Sequence, residues 1–335
     1  LDQINNMPKT DAKAWDNIRG QALVFRAKAF LQIADVWSPA YNSAGAAADL
    51  GIPLRINSNS EEKTVRATTK ETFDQIISDL KQAASLLPVK QVTALRPSKA
   101  AAYGFLARTY LQMGVYDQAG LYADSCLQLQ NTLLDFNTLA PTARFPIAKL
   151  NSEVIFESSM PNGGPIASAV ALIDSTLVPQ YESNDLRKKI FFKSLGGSFS
   201  FKGSYEGSST LFSGLAVDEM YLTRAECEAR TGNKDAAIGD LNTLLQARYD
   251  GTFSGRTASD ASDALNQILT ERRKELMMRG LRWPDLKRLN KDGANISISR
   301  LIHGTEYTLP PNDPRFSLPI PEDVIALTGI QQNPR

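Results

Sequence analysis

The 335-residue chain carries 37 Lys and Arg against 36 Asp and Glu, with 42% apolar and 22% charged residues, proportions ordinary for a folded protein able to bury a core. That balance, without any basic run, gives no basis for a nucleic-acid partner, which needs concentrated positive charge. One histidine, His303, and two cysteines, Cys126 and Cys227, cannot supply the His and Cys clusters of zinc or iron sites, so no metal or cofactor is expected.

Leu1 is followed by neither a basic nor an apolar leader, so the chain reads as a mature protein or as a fragment of a longer product. A first helix is expected over 21–36, QALVFRAKAFLQIADV, and an irregular insertion containing WSPAYNSAGAAADLGIP over 37–67. The second helix, 70–87, opens with a capping box from Thr68 to Glu71 and is stopped by Pro88. Phe73, Ile76, Ile77, Leu80, Ala84 and Leu87 give it one apolar stripe. Residues 100–130 hold the clearest pattern, in which small Ala107, Gly114, Ala119 and Ala123 alternate with large Tyr103, Leu106, Tyr110 and Tyr116. Ser98 is placed to cap a helix there, Gly114 to end it in a left-handed conformation, and Asp117 to cap the next.

The middle differs in texture. VIFESS (154–159) reads as a short strand, 161–168 as a turn, and 194–210, rich in Gly and Ser, as a loose hairpin or ordered loop. The spacing of 100–130 returns at 218–248, where Ala225, Gly232 and Ala237 take the places of Ala107, Gly114 and Ala119. A long helix is expected over 262–280 and a short turn after Pro284. The tail from 308, with six prolines, reads as an extended wrap. Nowhere does the chain approach the roughly 18 consecutive apolar residues of a membrane span.

The alternation of small and large residues resembles tetratricopeptide repeats, whose paired helices approach through small side chains. The expected fold is mainly α, with tetratricopeptide-like pairs, a loop-rich segment and an extended Pro-rich tail. One domain over 1–335 is expected. Within it, 14–130 is helical apart from the 37–67 insertion, 131–215 is loop-rich, 216–290 is helical, and 291–335 is tail.

Five blocks extend the resemblance. ERRKELMMRGLRWPDLKRL (271–289) closely resembles the C-terminal signature of the SusD/RagB family of Bacteroidota outer-membrane nutrient-binding lipoproteins. GQALVFRAKAFLQIADVW (20–37), LGIPL (50–54), DEMYLTRAECEARTGN (218–233) and SLPIPEDVIALTGIQQNP (317–334) are similar to other family blocks, in the family's order. The resemblance implies a surface-exposed lipoprotein that sits over a SusC-like TonB-dependent transporter and delivers ligand to it. It implies no enzymatic activity. Family members are usually longer and begin with a lipidated cysteine, so an N-terminal truncation is expected and the lipid anchor is inferred.

Several residues carry candidate roles. Trp37 and Tyr41, in the insertion, offer aromatic faces for sugar, with Asn42, Asp49 and Arg55 as hydrogen-bonding neighbours. Phe199, Phe201 and Tyr205 offer a second aromatic surface among glycines and serines. Glu271, Arg272, Arg273 and Glu275 lie with Arg282, Trp283, Asp285 and Arg288 in the signature. A catalytic carboxylate pair needs an open cleft. With arginines beside them, these acids read instead as an ion-paired lock between the last helix and the body. The expected ligand is a glycan. The alternatives are a peptide, or a protein-interaction scaffold without a small ligand.

Overall fold

The computed structural model describes residues 1–59, 61–167 and 170–335. Ser60, in the 37–67 insertion, and Ser168, in the turn expected at 161–168, lie outside the described residues. In chain order the elements are α1 (Asp2–Asn6), α2 (Ala12–Trp37), β1 (Leu50–Pro53), β2 (Arg66–Thr68), α3 (Thr69–Leu86), α4 (Lys99–Met113) and α5 (Tyr116–Leu129). Next come β3 (Val154–Phe156), β4 (Ser159–Met160), α6 (Arg187–Ile190), β5 (Phe192–Leu195), β6 (Ser198–Phe201), β7 (Leu211–Phe212) and β8 (Leu215–Ala216). The last are α7 (Val217–Arg230), α8 (Lys234–Gln246), α9 (Ala261–Glu275), α10 (Arg282–Lys291), β9 (Ile298–Ile302), β10 (Thr305–Leu309) and α11 (Glu322–Thr328). The fold is mainly helical, with paired helices and short strands. Two compact units are present, one of residues 1–88, 108–115 and 282–335, the other of 89–107 and 116–281.

In the first unit, α2 starts well before the expected residue 21. Asp11 caps it, accepting from the Ala14 N–H at 3.0 Å. Leu23, Val24, Ala27, Phe30, Leu31 and Ala34 form its buried stripe. The capping box of α3 is present: the Thr68 hydroxyl accepts from Glu71 N at 3.1 Å, and the Glu71 carboxylate accepts from Thr68 N at 2.8 Å. Gly20 lets α2 and the end of α3 approach, since a Cβ there would lie 2.7 Å from Leu87 Cγ. Arg26 fastens the pair with two 2.7 Å bonds to Asp79. The insertion is partly ordered as a strand pair, with Leu50 opposite Thr68 and Pro53 opposite Arg66.

Two expectations for this unit are corrected. A helix, α10, replaces the short turn expected after Pro284, at 285–290, because Pro284 falls in the first turn, where a missing N–H breaks no helical bond. The tail is not an extended wrap. Its β9–β10 hairpin turns at His303 and Gly304, both at positive φ (49° and 81°), as a two-residue hairpin turn requires. Pro321 then precedes α11, Glu322 and Asp323 favour that helix's positive end, and Gly329 stops it at φ 67°. These prolines mark element boundaries.

In the second unit, the 99–107 part of α4 pairs with α5. The Cys126 thiol donates to Ala100 O at 3.2 Å, and Tyr103 packs against Tyr122 with centroids 6.0 Å apart. Ser98 caps α4 as expected, its hydroxyl accepting from Ala101 N at 3.3 Å. α7 and α8 form the next pair, with Ala225 and Ala237 fully buried and Gly232 at φ 89°. The helix expected to reach 280 ends at Glu275, and Met278 (φ 59°) and Gly280 (φ 78°) turn the chain. β5 and β6 form a hairpin about Gly196 and Gly197 that starts at Phe192 and ends at Phe201, within and before the 194–210 stretch read as a loose hairpin or ordered loop. β3 pairs with β8 and β4 with β7.

Candidate ligand-binding site

An open cleft of about 370 Å³ lies in the first unit. Pro39, Ala40, Asn42 and Asp49, from the chain beyond α2, form one wall. Lys287, Asn290 and Lys291 of α10 and the 312–317 turn form the other. Phe316 is held by Trp283, which packs on its ring at 5.0 Å and donates its indole N–H to Phe316 O at 3.1 Å. Asn290 is spent on structure: its amide brackets Ile296 N and O at 2.6 and 2.8 Å, and its carbonyl accepts from Asn312 Nδ2 at 3.0 Å. Asp313 accepts from Arg315 N and Nε, and these bonds bring its carboxyl down to about 2.

Other groups in the cleft are not spent in this way. Asn42 uses its Oδ1 on Ala44 N at 3.2 Å. Among the described residues, Asn42 Nδ2, Asn312 Oδ1 and the Asp49 carboxylate make no hydrogen bond, although all three residues line the cleft. Apolar surface from Pro39 and Pro314, with buried Phe316 beneath, thus lies beside unused donors and acceptors. This pairing suits a polar ligand with apolar faces.

Of the residues singled out by sequence, only Asn42 and Asp49 line this cleft. Trp37 is half-buried at the end of α2, donating to Pro319 O at 3.2 Å while its own carbonyl accepts from Asn333 at 2.9 Å. Tyr41 sits edge-on to Phe73 at 5.2 Å. Arg55 clasps its own loop through Glu62 O, Thr64 Oγ1 and Asn59 O, at 3.0, 3.0 and 2.7 Å. Phe199 is half-buried against Phe192. Phe201 and Tyr205 are buried in the aromatic core of the second unit. The Tyr205 hydroxyl lies 3.3 Å from Asp218, and Arg279 covers its ring at 4.2 Å. The glycines around these two make room for close packing: a Cβ on Gly203 would meet the Phe191 ring at 2.3 Å.

The signature residues separate into two networks. In the second unit Glu271 and Glu275 bind neither Arg272 nor Arg273. Their partner is the fully buried Arg187, whose Nη2 meets Glu271 at 2.7 Å and Nη1 meets Glu275 at 2.9 Å, with Asp185 also at 2.7 Å. Lys274 joins Glu271 and Asp185 at 2.8 and 3.1 Å, and Arg248 joins Glu275 and Glu153 at 2.8 and 2.7 Å. Arg272 lies 3.4 Å from Thr223, and Arg273 pairs with Asp174 at 2.8 Å. In the first unit Arg288 pairs with Asp285 at 2.8 Å, Trp283 seats Phe316, and Arg282 is exposed.

Glu153, Asp218 and Glu275 converge closely enough to suggest a cation site. Arg248 and Arg279 already bring the positive charge, Arg279 meeting Asp218 at 2.6 Å. Burial works against the Asp218 charge, but Arg279 and Arg248 outweigh it and hold the carboxyl below its usual range. Donor sets so fully engaged with guanidinium groups do not fit a metal.

Sequence reading missed Lys287, Asn312 and Phe316. The available signal was the Pro-Asn-Asp-Pro run at 311–314, a turn pattern that exposes short polar side chains.

These features define a helical-repeat protein with a polar cleft beside its repeats. A family model described as starch-binding and associating with the outer membrane matches residues 1–111, and the SusD family model matches residues 217–334, together more than half of the chain. The chain belongs to the SusD/RagB family. Solved structures with the same fold include a SusD superfamily protein from Bacteroides thetaiotaomicron (TM-score 0.80, 23% identity, covering 100% of this chain and 82% of that one). A SusD-like carbohydrate-binding protein from Bacteroides vulgatus gives a TM-score of 0.76 at 21% identity, covering 98% and 79%. A SusD superfamily protein from the same organism gives 0.74 at 23%, covering 98% and 80%. No match is found among curated proteins. The family consists of non-catalytic nutrient-binding proteins that partner a SusC-like transporter in an outer-membrane lipoprotein setting. Among the described residues no helix is long and apolar enough to cross a membrane.

Proposed function

We propose that this chain binds an oligosaccharide in the cleft beside α10 and delivers it to a SusC-like transporter. The supporting observation is the pairing of the Pro39 and Pro314 surface with the unused Asn42 Nδ2, Asp49 carboxylate and Asn312 Oδ1. Sugars present apolar C–H faces to surfaces such as these prolines, and hydroxyl edges to polar groups of this kind. Because the cleft is open, a bound glycan stays partly wet, and modest affinity follows from the ordering cost.

Calorimetric titration with a panel of oligosaccharides and peptides tests the reading. Asp49→Ala should weaken glycan binding about tenfold, the equivalent of one hydrogen bond to a charged acceptor, without moving the melting temperature. Glycan binding that survives both Asp49→Ala and Asn312→Ala unchanged would overturn it. Binding of peptides alone would replace the ligand class.

A further inference from the structure

Beneath the cleft, polar groups from three helices of the first unit meet: Asp35 of α2 with Ser38 just beyond it, Gln112 of α4 and Lys287 of α10. The Lys287 ammonium donates to the main-chain carbonyl of Asp35 at 2.9 Å and to that of Ser38. Carbonyls in a helix's last turn lack intrahelical partners, so a cation there supplies both hydrogen bonds and charge–dipole attraction. Ser38 leads directly into Pro39, Ala40 and Asn42, one wall of the cleft, while Lys287 itself lines the other. The Asn42 carbonyl in turn accepts from Gly45 and Ala46 N–H at 3.0 and 2.7 Å. The neighbouring carbonyls of Val36 and Trp37 are held by the tail instead, through Leu318 N and Asn333 Nδ2, both at 2.9 Å. Ser38 Oγ and Gln112 Oε1 are buried without partners among the described residues, and the bond that Gln112 Nε2 donates to Asp35 Oδ2 is long, 3.5 Å.

We infer that Lys287 is a positioning residue for the cleft: its ammonium, clasping the Asp35 and Ser38 carbonyls, fixes the 39–42 wall against α10. The assignment of the cleft as a ligand site rests on the reading above; the clamp itself does not. The charged groups facing it are Asp35 on α2, Arg108 on α4 and Asp285 on α10, with Asp49, Lys291 and Asp313 on the cleft side. Burial lowers Lys287 to about 8, with Asp35 opposing the shift, and burial raises Asp35 to about 6 against Lys287 and Arg108. The ammonium therefore loses its proton just above neutrality. Two charge-assisted bonds then become neutral ones of about half the strength.

Amide exchange at Gly45 and Ala46, corrected for intrinsic pH dependence, reads the wall without any ligand. Wild-type protection should fall about fivefold between pH 7 and pH 9. Lys287→Arg, which stays charged, should abolish the step, and Lys287→Met should be weakly protected throughout. Asp35→Asn removes the negative charge that supports the ammonium, so the step should move to lower pH. A flat wild-type profile, or an unmoved step in Asp35→Asn, overturns the inference whatever the arginine variant does. Maltoheptaose affinity, measured in parallel, should follow the same profile. If maltoheptaose fails to bind while the protection step is present, the glycan reading loses support and the clamp stands.

Discussion

Replacing Arg187 with methionine would remove a cation shared by three buried carboxylates. Its guanidinium bonds Asp185 twice, at 2.9 Å from Nε and 2.7 Å from Nη2, and reaches Glu271 at 2.7 Å and Glu275 at 2.9 Å. Methionine keeps most of the side-chain volume, so the loss is mainly electrostatic. Breaking a buried ion pair from one side costs about 3–5 kcal/mol. Lys274 still serves Asp185 and Glu271, and Arg248 still reaches Glu275 while also serving Glu153. These remaining cations place the expected loss at the lower end, about 3 kcal/mol. Urea unfolding at pH 7, followed by circular dichroism, measures it. The pH dependence gives a second check. Carboxylates orphaned by the substitution take up protons more readily when folded than when unfolded. Their contribution is therefore present below the unfolded carboxyl range and lost as pH rises through the folded value, so the gap to wild type should narrow from pH 7 to pH 5. A loss below about 1 kcal/mol, the scale of an exposed pair, or a gap indifferent to pH, would refute the description of this cluster as an electrostatically coupled core.

Gly214→Ala places a Cβ 2.0 Å from the Phe156 carbonyl and 2.8 Å from the Phe212 ring. Because backbone cannot yield as a side chain can, thermal melting should show a loss of about 3 kcal/mol. Tyr205→Phe removes a hydroxyl that lies 3.3 Å from Asp218 and 3.4 Å from Arg248. It should cost about 1 kcal/mol of stability and leave glycan affinity unchanged; altered affinity would return Tyr205 to the ligand site. Burial, with the neighbouring Glu206, raises Glu157 to about 7. The folded state then holds a proton that the unfolded chain releases nearer its ordinary value, and stability falls as pH rises toward 7. In Glu157→Gln that portion of the pH–stability profile should flatten.

Helix pairing was legible because it depends on local spacing. Ala107, Ala119, Ala225 and Ala237 are fully buried, and Gly114 and Gly232 take left-handed conformations, so each small residue serves the role its position in the repeat suggested. The start of α2 was hidden because the 12–20 stretch lacks a clear apolar stripe, although Asp11 was a readable cap. In the tail, proline content obscured position: Pro321 before an acidic first turn, and His-Gly between alternating strands, are element signals.

The site was less legible because its parts are distant in sequence. Asn42 and Asp49 face Asn312 and Phe316 only after the chain ends come together. Arginines adjacent to Glu271 and Glu275 were poor guides to their partners. On α9 neighbouring residues point in different directions, and of the cations on the buried side only Lys274 belongs to the helix, while Arg187 and Arg248 come from elsewhere. Phe201 and Tyr205 show that glycine-rich sequence can accompany tight packing as well as open loops.

The unit carrying the cleft is assembled from stretches far apart in sequence, 1–88, 108–115 and 282–335, and this sets an order on its birth. Lys287 reaches Ser38, Trp37 reaches Pro319, and Arg66 reaches Asn333 at 2.8 Å. During synthesis α2 and α3 emerge well before α10 and the 318–333 stretch that caps them, so the cleft cannot close until those later residues have been made. Residues 89–107 and 116–281, the second unit, draw on nothing made after 281 and can settle first. A product terminated before α10 would leave the nascent helical pair without its C-terminal cover, a natural client for chaperones and proteases.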